Sequence, residues 1–332
     1  MNYSFAIIGG GAWGTAISIA LARKSDHKVI IWVREKEVCE EINRYHKNSL
    51  YLPNVNLNKN IVATNNISEA LAPIIFYVTP AQHFRRVINI HKQYLKKNFK
   101  LIICSKGIEQ KTGSLLSDII GEIDLKNEYA IFSGPSFAKE VAKGKPAALV
   151  LAARSLKLAE KISNHISLKG LRVYTSNDVL GVQAGGAIKN VYAIGCGIAN
   201  GMGYGKSAEA AIITRSIIEM SRFCVSIGGK KETIYGLSGL GDAILTCNSE
   251  LSRNFILGKN IGKGKKVSQI LRENVTIAEG YYTINAINKI IKKHSINMPI
   301  LESIYSILYK NKDPKSIAKK LMTRPTKEES IS

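Results

Sequence analysis

Short apolar runs punctuate the first half of the chain at Phe5–Ile8, Val29–Val33, Ile74–Val78, Leu101–Cys104, Ala130–Phe132 and Ala147–Leu151. Most of their positions are apolar with no in–out alternation, which suits strands covered on both faces. Between most of them lie stretches with helical spacing, such as "AWGTAISIALARK" and "AQHFRRVINIHKQYLKK". Strand–helix alternation of this kind predicts an α/β domain with a parallel sheet between two helical layers. At "VYTSNDVLG" the pattern changes. Ser176, Asn177 or Asp178 can cap a helix there, and helical periodicity dominates from that point on. "EAAIITRSIIEMSRFCVSIGG" ends at glycines, "IYSILYKNKDP" and "PKSIAKKLM" read as late helices, and "RPTKEESIS" as a polar tail. The expected organisation is an α/β domain over residues 1–177 and an all-helical domain over 178–332.

Composition narrows the class. A chain of 332 residues, 45% hydrophobic, suits two globular domains with real cores. The sequence contains no uninterrupted apolar stretch of membrane-spanning length, and the N-terminus reads as a strand entering a turn, not as a signal peptide. A cytoplasmic protein is expected. The five cysteines are scattered with no C-x-x-C pair, so neither a disulfide framework nor a zinc site is expected. The net charge is +22, which raises nucleic acid and anionic lipid as partners. The lysines are spread out, however, and lack interleaved aromatics or a nucleic-acid motif. Lys, Asn and Ile are abundant throughout, as an AT-rich genome produces. Neither a nucleic-acid partner nor stable membrane insertion is expected, and a homodimer is allowed.

The run "GGGAWGT" opens the candidate chemistry. Gly9, Gly11 and Gly14 form G-x-G-x-x-G directly after a strand and at the start of a helix, and the chain then returns as the strand "KVIIW". In that context the pattern is a dinucleotide-binding fingerprint, and the first domain is expected to be Rossmann-like. Gly9 permits the tight turn, Gly11 lets backbone approach a pyrophosphate, and Gly14 lets helix and strand pack closely. Free N–H groups at the helix start face the phosphates. Trp13 can be core or pocket wall. At the end of the second strand stands Arg34, where an acid would favour NAD. A guanidinium there favours a 2′-phosphate, so NADP (NADPH) is the preferred cofactor, with NAD allowed beside Glu35.

Other candidates follow the same logic. Lys106 in "CSKGIE", Gly134 and Ser136 in "FSGPSFAKE", and Pro80 in "VTPAQHF" all follow strands, where open parallel sheets place their ligands. Lys189 stands in an apolar run within "GVQAGGAIKNVYAIG", a helix weakened by small residues. Read alone it snorkels to solvent; if it is buried, its lowered pKa makes it a base near neutrality. Asp242 follows the glycine cluster of "GLSGLGDAILTC", and Ser252, Arg253 and Asn254 place a hydroxyl, a guanidinium and an amide side by side before a helical run.

The ordered set "GGGAWGTA", "SKGIE", "SGPSFAKE", "GGAIKN", "GLGDAILTC", "SRN" and "AEG" closely resembles bacterial NAD(P)-dependent glycerol-3-phosphate dehydrogenases, from Phe5 to about Pro299. The resemblance implies an oxidoreductase that interconverts dihydroxyacetone phosphate and sn-glycerol 3-phosphate for phospholipid synthesis. It makes Lys189 the general acid and base, with Lys106 touching substrate and cofactor and Asp242 supporting Lys189 and the substrate. Gly134, Ser136, Ser252, Arg253 and Asn254 would hold substrate. Ala12, Trp13, Arg34, Ala138, Arg253, Ile277 and Glu279 would lie against the cofactor, and no metal is implied. Ala12 departs from the family's usual serine and removes one hydroxyl contact to phosphate. Two other readings fit parts of the pattern. A two-domain hydroxy-acid dehydrogenase explains the fold but not "SRN". A non-catalytic NADP-binding sensor leaves Lys106, Lys189 and Asp242 without a task.

Overall fold

The computed structural model describes residues 3–168, 170–273, 278–325 and 328–329. Its backbone divides into two compact units, one of Met1–Ser105 with Leu116–Val179, the other of Lys106–Leu115 with Leu180–Ser332. Against the expected division at residue 177, the segment Lys106–Leu115 thus groups with the second unit.

The first unit is built on one eight-stranded sheet. Its strands are β1 (Phe5–Ile8), β2 (Val29–Trp32), β3 (Ile61–Thr64), β4 (Ile74–Tyr77), β5 (Lys100–Ile103), β6 (Tyr129–Ser133), β7 (Ala147–Ala153) and β8 (Leu171–Ser176). The order across the sheet is β3-β2-β1-β4-β5-β6-β7-β8. Six helices accompany it: α1 (Ala12–Leu21), α2 (Lys36–Tyr45), α3 (Ala81–His91), α4 (Leu116–Glu122), α5 (Ala138–Ala142) and α6 (Leu156–Ile166). The strands at the centre are buried on both faces, as their unbroken apolar runs require: all four residues of β1 and of β4 are buried. Strand order reverses between β1 and β4, and the crevice at such a reversal is where doubly wound sheets take their ligands.

One expectation fails. β7 runs antiparallel to β6, pairing Ala130 with Ala153 and Ser133 with Val150. The reason is the size of α5, five residues and so about 7 Å long. A strand of five residues spans about 17 Å, so α5 cannot carry the chain back to the sheet's starting edge. The chain turns and comes back as β7. β8 then pairs parallel to β7 at the sheet's end.

The second unit is helical: α7 (Val179–Gly201), α8 (Gly205–Ser226), α9 (Lys231–Ile234), α10 (Asp242–Cys247), α11 (Arg253–Gly262), α12 (Val267–Glu273), α13 (Glu279–Lys293), α14 (Pro299–Lys310) and α15 (Pro314–Met322). It has its own core, in which Ile108 and Leu115 join Ile188, Tyr192, Met220, Phe223 and Ile287. The central helix α7 crosses α11 at very short range. A methyl on Gly197 or Gly201 of α7 would overlap the Phe255 or Lys259 carbonyl, and one on Gly258 or Gly262 of α11 would overlap the Ile194 or Ile198 carbonyl. Four glycines, two per helix and four residues apart, are thus the contact surface. Among the described residues no helix is long and apolar enough to cross a membrane.

Candidate active site

The first unit presents a glycine-rich turn between β1 and α1. Gly9 adopts φ of +126°, a conformation that side chains rarely tolerate, and a methyl there would come within 3.0 Å of the Val78 carbonyl carbon. A methyl on Gly14 would overlap the Gly9 carbonyl oxygen, whereas one on Gly11 would meet nothing within 4 Å. The three fingerprint glycines therefore do three different jobs: turn, open approach and close packing. α1 starts on this turn without a side-chain cap, leaving its first N–H groups for a ligand. Ala12 is its first residue, and the buried Trp13 Nε1 has no hydrogen-bond partner among the described residues. An open glycine, uncapped amides and an orphaned indole N–H fit a dinucleotide's pyrophosphate.

Side chains hold this turn from behind. Asn48 Nδ2 donates to the Gly10 carbonyl at 2.9 Å and to Thr15 Oγ1 at 2.8 Å. At the tip of β2, exposed Arg34 pairs with Glu35 at 2.5 Å, and Tyr51 Oη donates to the same Glu35 oxygen at 3.2 Å. Burial raises the Glu35 carboxyl's proton affinity, but the hydrogen bonds and charge of Arg34 together with those of its backbone and Tyr51 outweigh it and hold the group below the usual carboxylate range. Neither Asn48 nor Tyr51 was expected. Their partners lie across turns that no local pattern reveals. After β6, Gly134 is buried with φ of +142° against Leu149, and Ser136 Oγ donates to the Gly134 carbonyl at 3.2 Å. Ala138 opens α5, partly buried against the core.

The second unit brings Lys106, Lys189 and Asp242 together. Lys189 does not snorkel: its side chain is 8% exposed and that of Asp242 is 1% exposed. Lys189 Nζ lies 2.6 Å from Asp242 Oδ1 and 2.6 Å from Thr246 Oγ1. Lys106 Nζ takes the other carboxylate oxygen, Oδ2, at 2.7 Å. Two ammonium groups thus share one carboxylate, which leaves the cluster a net positive charge that favours an anion. Burial pushes the Lys189 amine down to about 8, the adjacent Asp242 opposes that shift, and Lys106 adds to it. The local backbone is unusual as well. Leu237–Gly241 forms a π-helical turn that runs directly into α10 at Asp242, and a methyl on Gly185 of α7 would stand 2.6 Å from the Ser238 carbonyl oxygen. Gly185, one of the small residues that weaken α7, lets the helix pass this turn. Thr246 was missed, yet its signal was present: it stands four residues after Asp242 on one helix and so shares its face.

The "SRN" residues divide their tasks. Ser252 is buried and caps α11, accepting the Phe255 N–H at 3.2 Å, while Arg253 is exposed in the first turn. Asn254 is buried and already bonded twice, donating to Asn190 Oδ1 at 3.0 Å and accepting the Gly280 N–H at 2.9 Å. It ties α7, α11 and α13 together beside Lys189. Glu279 is the first residue of α13, and Ile277 lies outside the described residues. Lys106, Lys189, Asp242, Ser252, Arg253, Asn254 and Glu279 therefore belong to the second unit. Gly9, Gly11, Ala12, Trp13, Gly14, Arg34, Gly134, Ser136 and Ala138 belong to the first.

Known proteins resemble this chain along nearly its whole length. A family model described as NAD-dependent glycerol-3-phosphate dehydrogenase N-terminus matches residues 4–159, and its C-terminus counterpart matches residues 178–319. A protein of Erythrobacter litoralis named glycerol-3-phosphate dehydrogenase, NAD(P)+, is 42% identical over 330 residues, covering 99% of this chain and 98% of its own. One of the same name from Parvibaculum lavamentivorans is 40% identical over 325 residues, covering 98% of this chain and 97% of its own. A crystal structure of glycerol-3-phosphate dehydrogenase from Coxiella burnetii superposes with a TM-score of 0.93 at 33% identity, over 97% of this chain and 99% of that one. With both of its halves matched and full-length relatives at this identity, the chain belongs to the NAD(P)-dependent glycerol-3-phosphate dehydrogenase family of oxidoreductases.

Proposed function

We propose that this chain interconverts dihydroxyacetone phosphate and sn-glycerol 3-phosphate by hydride transfer in the cytoplasm, supplying glycerol 3-phosphate for phospholipid synthesis. The observation that carries this reading is the buried Lys189–Asp242–Lys106 cluster in a chain that also holds a dinucleotide turn. Residues 1–177 serve the cofactor and residues 178–332 the substrate, with Lys106 working alongside the latter.

The nicotinamide cofactor, when bound, exchanges a hydride with C2 of the substrate. As negative charge builds on the C2 oxygen, the Lys189 ammonium stabilises it and donates its proton, completing the alcohol. In the reverse direction the neutral Lys189 amine removes the alcohol proton. Asp242 orients Lys189 and Lys106, and Thr246 supplies a second partner to Lys189 Nζ. Lys106 adds positive charge against substrate and cofactor. Arg253, exposed at the start of α11, anchors the substrate phosphate beside Ser252 and Asn254 and reaches the cofactor. Gly134 and Ser136 line the substrate side, and Ala12, Trp13, Arg34, Ala138, Ile277 and Glu279 the cofactor side. Arg34 supports a preference for NADP: a 2′-phosphate competes with Glu35 for the exposed guanidinium.

The first test is reduction of dihydroxyacetone phosphate by purified protein with NADPH and NADH compared. Rapid cofactor oxidation is expected, reduced about 100-fold or more in Lys189→Ala. Arg34→Ala should cut kcat/KM with NADPH more than with NADH. No oxidation by a folded, cofactor-binding protein would sink the substrate assignment. A carboxylated ketone reduced in preference to the phosphorylated one would establish the hydroxy-acid alternative.

A further inference from the structure

Away from the lysine cluster the second unit buries another carboxyl group. Glu219 of α8 is 3% exposed and receives three hydrogen bonds. The Ile300 N–H donates to Oε1 at 2.7 Å, the Leu301 N–H to Oε2 at 3.1 Å, and the Tyr192 hydroxyl to Oε2 at 2.9 Å. The two amides belong to the first turn of α14, where Pro299 opens the helix and no residue of α14 itself provides a side-chain cap. Glu219 therefore caps α14 from a different helix, and Arg222, one turn further along α8, adds positive charge beside it while donating to the Asn297 carbonyl at 3.2 Å.

Tyr192 is fully buried on α7, three residues beyond Lys189. One turn of α7 thus sends Lys189 to α10, and the next sends Tyr192 to the meeting point of α8 and α14. Against α11 the close contacts of α7 are glycine against backbone, at Gly197 and Gly201, while Asn190 accepts from Asn254 and Asn200 donates to Glu209 near its C-terminal end. The glycine contacts fix how near α7 and α11 lie, but at that crossing they offer no side chains to resist rotation of α7 about its own axis. A phenol held by a carboxylate that is itself held by two amides resists that rotation directly.

We propose that Tyr192 and Glu219 are positioning residues for Lys189, their hydrogen bond locking the rotation of α7 so that Nζ meets Asp242 Oδ1 and Thr246 Oγ1. The proposal rests on Lys189 being the proton donor of the reaction. A core-filling role for the same pair would affect stability alone, and the two are separable. Asp242 raises the proton affinity of Lys189 against the pull of burial, so a Lys189 turned away from Asp242 loses its proton at lower pH.

The experiment measures kcat, KM and the pH profile of dihydroxyacetone phosphate reduction for the full chain, for Tyr192→Phe, for Glu219→Gln and for the double variant, with thermal midpoints and Lys189→Ala alongside. Tyr192→Phe keeps the ring and removes only the hydroxyl, so folding is preserved. The expected result for Tyr192→Phe is a kcat about tenfold lower with KM within about twofold, and an alkaline limb displaced downward by about half a pH unit. Glu219→Gln keeps one accepting oxygen but sets an –NH2 against a backbone N–H, so it should lose at least as much, and the double variant should be no worse than Glu219→Gln. An alkaline limb in its original place with kcat within about twofold, whatever happens to the thermal midpoint, overturns the proposal. Turnover that survives Lys189→Ala overturns the assignment of the proton donor instead, and the positioning role falls with it.

Discussion

Gly11 and Gly14 stand three residues apart, and an added methyl meets opposite fates at the two positions. At Gly11 it points into open space, and at Gly14 it overlaps the Gly9 carbonyl. Gly11→Ala should therefore keep the thermal midpoint and weaken cofactor binding, while Gly14→Ala should lower both. Calorimetric titration with NADPH beside thermal unfolding reads the difference, and equal loss of stability in both would refute the division of labour. Thr246→Val removes a hydrogen bond to a buried ammonium, worth about 1.5–3 kcal/mol, so kcat should fall at least about tenfold while Thr246→Ser stays close to the parent. The sign of the pH dependence follows from the depressed affinity of Lys189 for its proton. With Lys189 as the proposed proton donor, reduction draws on the ammonium and should decline as pH rises through about 8, and oxidation draws on the free amine and should rise over the same range. Initial rates in both directions across that range check this. The glycine spacing was legible as a local signal, whereas the lysine inside an apolar helix read alone as snorkelling, and only the resemblance made it a candidate for the site. Asn48, Tyr51 and the Tyr192–Glu219 pair were not legible, because each depends on which distant element the fold brings alongside.

Among the elements, the crossing of α7 and α11 reverses an ordinary expectation. Replacing a glycine inside a helix by alanine normally stabilises it by about 1 kcal/mol. Gly258→Ala should do the opposite, because the methyl overlaps the Ile194 carbonyl and forces the two backbones apart. A loss of about 1–3 kcal/mol is expected, seen as a thermal midpoint lower by several degrees. A midpoint equal to or above the parent's would show that the crossing tolerates separation. The sheet was legible where its strands carry long apolar runs. β3 escaped notice because it is four residues long with one exposed position, and β8 because it alternates exposed and covered residues at the edge of the sheet. The reversed direction of β7 was hidden for another reason. Strand direction depends on how far the connecting helix reaches, and the five-residue length of α5 is not marked by any sharp boundary in the sequence.

For the whole molecule the net charge of +22 has a kinetic meaning. A positive field draws dianionic substrates inward and is screened by salt, with a Debye length of about 10 Å at 0.1 M. Raising ionic strength should lower kcat/KM for dihydroxyacetone phosphate severalfold with kcat nearly constant, and leave unphosphorylated dihydroxyacetone unaffected. Equal salt sensitivity for both ketones would remove steering as the cause. The interleaving of the two units carries a different message. Lys106 is anchored in the second unit by Asp242, and Ile108 and Leu115 are part of that unit's core, although the segment that bears them interrupts the chain of the first. Exchange of the nucleotide-binding half with that of another enzyme at a single crossover near residue 179 would replace this segment with a foreign one and break its fit to the recipient. Three crossovers, at 105, 115 and 179, would be needed to keep the lysine with its carboxylate, so gene fusion by simple end-joining is a poor route to new chimaeras of this architecture.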